Sequence, residues 1–155
     1  TNAFASGEEN LIATCDELAA LDTDANAYDD EIYLTDDLFC SLIVFDPLEW
    51  GVNQFEGVIY GNGHTIYDLT INQEFTDNVA MFENTDGAAF IDFFIQDAEM
   101  TGANNVGTIV GEAANTTFEN VHVTTDVHGS AIAIGGFAGA LFVAVLGIKF
   151  YKNTK

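Results

Sequence analysis

The chain has 155 residues, 48% of them hydrophobic, and sets 25 acidic side chains against three lysines and no arginine, a formal charge of −22. That length fits one domain with a real core, and such a charge repels phosphate backbones, which excludes nucleic acid as a partner. It attracts divalent cations and stays soluble where salt screens self-repulsion, so the composition points either to saline surroundings or to a secreted protein kept soluble by its acids.

Residues 1–10 read as a short arm that could join a neighbour as an added strand. No signal peptide is visible at Thr1, which leaves a mature form whose leader was removed and a cytosolic protein both open. Thr14 then opens a short helical pattern over 15–21, with Asp16 and Glu17 in the first turn, where the helix dipole favours acids. Cys15 and Cys40 are the two cysteines; an even number in a short acidic chain predicts one disulfide, with two free buried thiols as the alternative. The stretch Asp22-Thr-Asp24-Ala-Asn26-Ala-Tyr-Asp29 alternates carboxylate and amide oxygens as a calcium loop does. Ala27 stands where that loop wants glycine, and Tyr33 where it wants a bidentate glutamate. Calcium at Asp22, Asp24, Asn26 and Asp29 is thus one expectation, and a solvated acidic loop is the other. Residues 12–50 can cap an open core, with Phe45 and Trp50 as plugs.

Beyond the cap the chain repeats. Val106-Gly-Thr-Ile109-Val-Gly111 and Ile134-Gly-Gly-Phe137-Ala-Gly139 share one pattern 28 positions apart, and Val79-Ala-Met81-Phe82 is a degenerate copy 27 positions earlier. A second strand type recurs as His64-Thr-Ile66-Tyr-Asp68-Leu69-Thr-Ile71, Ala88-Ala-Phe90-Ile-Asp92-Phe93-Phe-Ile95 and Thr116-Thr-Phe118-Glu-Asn120-Val121-His-Val123. Short alternating strands turn one face inward. A unit of this length cannot close a core alone, so successive coils must stack. Asp68, Asp92 and Asn120 fall where the chain must turn, and such residues can form ladders between coils. Gly107, Gly111, Gly135 and Gly139 permit close approach of neighbouring coils. An antiparallel sandwich also has short strands at regular spacing, but the recurring two-strand unit favours the solenoid. The predicted fold is all-β: a right-handed parallel β-helix with coils of about 24–28 residues, residues 1–50 forming the arm and a short helical cap and residues 51–155 the coils.

At Phe55-Glu-Gly57-Val-Ile59-Tyr-Gly61-Asn-Gly63-His64-Thr-Ile66-Tyr-Asp-Leu69-Thr-Ile71, and at the glycine strands of 107–111 and 135–139, the chain resembles GLUG-type repeat proteins. These are β-helical modules of prokaryotic surface proteins, adhesins and some secreted peptidases. The stretches around Cys15 and Cys40 are similar to the cap that precedes such coils. The copy at 79–82 departs from the pattern, with Ala80 in place of the first glycine. The resemblance implies a scaffold on the cell surface and says little about its task.

Catalytic signals are absent from the sequence: no Gly-x-Ser-x-Gly, no His-Glu-x-x-His and no phosphate loop. His64, His122 and His128 show no zinc spacing. A lyase on this fold would need a cation near its acidic sugar, and no lysine precedes Lys149. Paired carboxylates for glycoside hydrolysis remain the one enzymatic alternative. Asn115-Thr-Thr117 is a glycosylation acceptor pattern.

Residues 130–148 carry no charge and are followed by Lys149 and Lys152, the length and flanks of a membrane anchor. The alternation through Phe137 instead favours a final coil. An apolar last coil with open edges invites pairing, through Phe137, Phe142, Leu146, Ile148 and Phe150. The expected function is therefore non-enzymatic and extracellular: a cofactor-free solenoid that associates end to end into a surface layer or filament. The alternative is an adhesin-like module, part of a longer surface protein, that recognises a glycan or another surface.

Overall fold

The computed structural model describes residues 9–130, 135–136, 138–141 and 150–154. It is an all-β solenoid of about four turns with one short helix. The elements are β1 (Glu9–Ile12), α1 (Cys15–Ala19), β2 (Glu31–Leu34), β3 (Leu38–Phe39), β4 (Val58–Tyr60), β5 (Thr65–Tyr67), β6 (Thr70–Asn72), β7 (Phe82–Asp86), β8 (Ala89–Gly102), β9 (Val110–Ala114), β10 (Thr117–Gly129), β11 (Ala138–Leu141) and β12 (Phe150–Thr154). All strand pairs are parallel. One sheet runs β1-β2-β4-β8-β10-β12, with β3, β5 and β6 completing its rungs, and a second runs β7-β9-β11.

Each inward position becomes a column along the axis. Asn10, Ile32, Ile59, Phe90 and Phe118 stand one above another in register, as do Leu38, Ile66, Ile95 and Val123. In the second sheet Phe82 lies opposite Val110 and Val110 opposite Ala138, a step of 28 residues each time. Phe55, Phe82, Phe90, Phe93 and Phe118 are fully buried and in ring contact, with Phe90 touching the other four. Between the sheets the interior is not wholly apolar. Buried hydroxyls pair at Thr85–Thr116 (2.7 Å) and Thr108–Thr125 (2.9 Å), so neither pair is left unsatisfied.

The turns rest on one residue class. Every non-glycine residue with positive φ among the described residues is Asn or Asp, including Asp68, Asp92 and Asn120. These side chains tolerate the left-handed conformation and carry amides and carboxylates that link coils. Asn120 Nδ2 donates to Asp92 Oδ1 (2.6 Å), Asn105 to Asn78 (2.9 Å) and Asn115 to Asp86 (3.0 Å), each about one coil away.

One register differs from the sequence reading. Ile66 pairs with Ile95 and Tyr67 with Gln96, so Asp68 lies beside Asp97 and not Asp92. The offset is 29 residues instead of 24. Strand β8 is long enough to receive β4, β5 and β6 in turn, and left-handed turns at Asp92 and Asp97 divide it into similar pieces. A local pattern that recurs every five residues cannot tell those pieces apart.

The first fifty residues contribute both a cap and rungs. Strands β1 and β2 pair with each other and lead directly into β4. Thr14 caps α1 through a capping box with Glu17, and Cys15 is joined to Cys40, tying the helix to the coil that carries β3. Trp50 stacks on Phe55 and Phe82 and donates its Nε1–H to Asp24 O (3.0 Å), while Phe45 is buried.

Coil stacking is close enough to exclude a methyl group at several glycines. A Cβ on Gly61 would sit 1.9 Å from Phe93 Cβ and 2.5 Å from Asp92 O. Gly61→Ala must therefore push two coils apart, and we expect it to destabilise by about 3 kcal/mol, the upper range for overpacking. An unchanged urea midpoint would contradict this contact.

Candidate functional site

The described interior is filled by buried side chains, which leaves the outward face of the long sheet as one surface open to partners. Its side chains also stack from coil to coil. Tyr33 lies on Tyr60 at 4.8 Å and Phe39 on Tyr67 at 5.2 Å, with nearly parallel rings, and His122 meets Phe94 edge-on at 4.9 Å. Rings stacked along the axis cover one another's faces. What they offer outward is mostly edge, so this ladder strengthens coil stacking more than it presents a platform.

Several large apolar side chains are nonetheless well exposed. Phe39, Leu42, Val44 and Phe75 are 67%, 94%, 88% and 90% exposed. The loops bearing Val44 and Phe75 are linked by Gln73 Nε2 donating to Asp46 Oδ1 (3.0 Å). Sequence reasoning missed this group because its residues are 36 positions apart at the extremes.

Two carboxylates have shifted acidity. The Thr65 N–H donates to Asp37 Oδ1 (3.0 Å) and His64 Nδ1 lies 3.3 Å away, holding that exposed carboxyl below its ordinary value. Its contribution to stability is present above the ordinary carboxylate range and is lost as pH falls. Glu83 is the opposite case: partial burial, then the carboxylates of Glu49 and Glu112 on adjacent coils, raise it above 4.5, with Asn84 opposing. Ionised Glu83 thus costs stability once pH rises through the ordinary carboxylate value and beyond. Glu83→Gln should stabilise the fold at pH 7 by roughly 0.2–1 kcal/mol, the scale of a cross-strand like-charge contact, and should have little effect at pH 3. Thermal unfolding of both proteins at the two pH values checks this; equal shifts at both would show that charge is not the cause.

The residues expected to hold calcium are dispersed over two short 3₁₀ turns, Leu21–Thr23 and Ala27–Asp29. Asp22 Oδ2 accepts from Glu49 N (3.1 Å), Asp24 Oδ1 from Asn26 N (3.0 Å), and Asp29 Oδ1 is buried without a hydrogen-bond partner. Among the described residues no group of three or more His, Cys, Asp or Glu side chains is gathered around a common point as a metal needs. Asn115 is exposed at a left-handed turn, with Thr116 buried behind it and bonded to Thr85.

Of the residues expected to mediate association, Phe137, Phe142, Leu146 and Ile148 lie outside the described residues, as does most of 130–148. Phe150 opens β12, opposite Val121. Strand β11 lies within 130–148 and pairs with β9, while β12 follows that stretch and pairs with β10. No helix among the described residues is long and apolar enough to cross a membrane.

No family model matches the chain, and no solved structure matches it. Among curated proteins it is similar to halomucin of Haloquadratum walsbyi, with 31% identity over 136 residues, 79% of this chain. The chain spans only 2% of that relative's length, so what it resembles is one short segment of a very long protein.

Proposed function

We propose that this chain is a non-enzymatic, extracellular structural protein of the cell surface, a β-solenoid that associates end to end into a layer or filament. The observation that carries the proposal is the form of the long sheet: an uninterrupted parallel ladder whose outermost strands, β1 and β12, have one neighbour each among the described strands. Where no further strand covers it, such an edge presents N–H and C=O groups that another coil can satisfy. A contact between opposite ends is heterologous and does not close, so it propagates.

The surface location is supported by three things. The similar segment belongs to a protein named as a mucin, the single disulfide suits an oxidising compartment, and the acidic surface suits brine. The GLUG-type assignment is part of the same proposal and rests on the glycine-strand resemblance. The exposure of Phe39, Leu42, Val44 and Phe75 favours a second reading, an adhesin-like module that docks on a glycan or another surface.

Negative-stain electron microscopy of the purified chain in molar salt, with and without calcium, tests both. Filaments that lengthen with protein concentration are expected. Dispersed particles at all concentrations would overturn end-to-end association and leave the adhesive module. A requirement for calcium that Asp22→Asn and Asp24→Asn abolish would support the calcium loop.

A further inference from the structure

The sequence contains one Asn-x-Thr triplet and no Asn-x-Ser: Asn115-Thr116-Thr117. It falls at the corner where β9 ends and β10 begins, between the second sheet and the long one. Asn115 is exposed, Thr116 is buried and Thr117 is half-buried on the strand. The chain turns at Asn115 with φ of 49°, a left-handed conformation that asparagine tolerates. Thr116 is anchored inside: its hydroxyl donates to Ala114 O (2.8 Å) and meets the Thr85 hydroxyl (2.7 Å). The triplet is thus held by its middle residue while its asparagine faces solvent.

The surroundings of Asn115 leave room for a substituent. Its Nδ2 donates to Asp86 Oδ1 one coil away (3.0 Å), and beside Asp86 stands Gly87, where an added Cβ would meet nothing within 4 Å. A carboxamide nitrogen carries two hydrogens, and this rung uses one of them. A group that replaces one hydrogen on Nδ2 leaves the other for the ladder. Asn120 provides the contrast. It is also exposed and left-handed, and it bonds to Asp92 as Asn115 does to Asp86, but Val121 and His122 follow it and no hydroxyl stands two residues on.

We propose that Asn115 is an N-glycosylation site, which receives a glycan from a lipid-linked glycosyl phosphate donor. Nδ2 attacks the anomeric carbon of the donor and a C–N bond forms. The bond from that carbon to the phosphate oxygen breaks, the lipid phosphate leaves with the electron pair, and Nδ2 gives up one proton. Thr117 supplies the hydroxyl at the third position of the acceptor pattern. The proposal rests on the extracellular reading above, since this pattern is used on secreted surfaces, and adds where the glycan is attached: the corner that joins the two sheets.

The test uses the full chain, supplied with an export leader and produced in a halophilic archaeon that glycosylates Asn-x-Thr in its own surface proteins. Chain recovered outside the cell is digested and sequenced by mass spectrometry. A glycan mass on the peptide bearing Asn115 is expected, with Asn120 unmodified. Thr117→Val keeps the β-branched shape and leaves Asn115 and Asp86 in place, but it removes the hydroxyl and should abolish the added mass. Thr117→Ser should retain it. Circular dichroism confirms that both variants keep the fold, which separates loss of the acceptor pattern from loss of the structure. An exported, folded chain with a bare Asn115 would overturn the site, as would a glycan that survives Thr117→Val. Failure of the extracellular reading shows differently: the protein made from its own gene would be found in the cytoplasm, whatever the leader-bearing chain carries.

Discussion

Phe90→Ala is expected to destabilise this protein by about 3–5 kcal/mol, the range for truncating a fully buried phenylalanine. Phe90 has no exposed surface and its ring meets Phe55 at 6.2 Å, Phe82 at 5.4 Å, Phe93 at 6.1 Å and Phe118 at 5.4 Å. Those partners come from both sheets and from the coils above and below. The cavity would therefore open where coil stacking and sheet packing coincide, and the backbone columns on either side are held by their own ladders and cannot collapse into it. Against a total stability on the order of 5–15 kcal/mol, the loss is large enough to unfold much of the chain at 37 °C. Urea unfolding in molar salt measures it. A loss under ~1 kcal/mol would mean that the site relaxes freely and that the ring cluster is not the centre of the fold.

Removing the disulfide should be the second large effect. Cys15 and Cys40 are 25 positions apart and close a loop that takes in α1, both 3₁₀ turns and β2. Opening that loop returns about 3 kcal/mol of conformational freedom to the unfolded chain. In a solenoid, stability is a sum of coil and nearest-neighbour terms, so the damage should be local first. We expect Cys15→Ser with Cys40→Ser to lose amide protection across residues 14–40 while β8 and β10 keep theirs, and hydrogen exchange resolved by peptide is the measurement. Uniform loss of protection along the chain would instead show that the cap and the coils melt as one unit.

Several features were legible before any coordinates. Val106 and Ile134 open copies of one strand pattern, with a degenerate copy at Val79, because every coil must present the same inward side chains to the column. Asp92 and Asn120 are turn residues that stack, as their spacing of 28 predicts. Cys15 and Cys40 do pair. Less was legible at His64–Ile71, where the reading matched Asp68 with Asp92 although the chain places it beside Asp97. Periodicity alone slides by one unit when a coil contains several similar short strands. The set Asp22, Asp24, Asn26 and Asp29 alternates in sequence; in the fold Asp22 and Asp24 accept from the backbone of Glu49 and Asn26, and Asp29 Oδ1 is buried without a hydrogen-bond partner. The exposure of Phe39, Leu42, Val44 and Phe75 had no sequence signal at all.

By itself the sequence determined the architecture, the turn chemistry, the disulfide and the uneven placement of charge. These follow from local repetition and composition, which survive any error in register. The tertiary structure alone decided which residues became neighbours across coils: the register of β5 on β8, the incorporation of β1 and β2 as rungs of the sheet, and the Glu49–Glu83–Glu112 contact that raises one carboxyl. Those depend on contacts about one coil apart, and near-identical coils make competing registers nearly equal in local preference. Only the summed packing of the interior separates them.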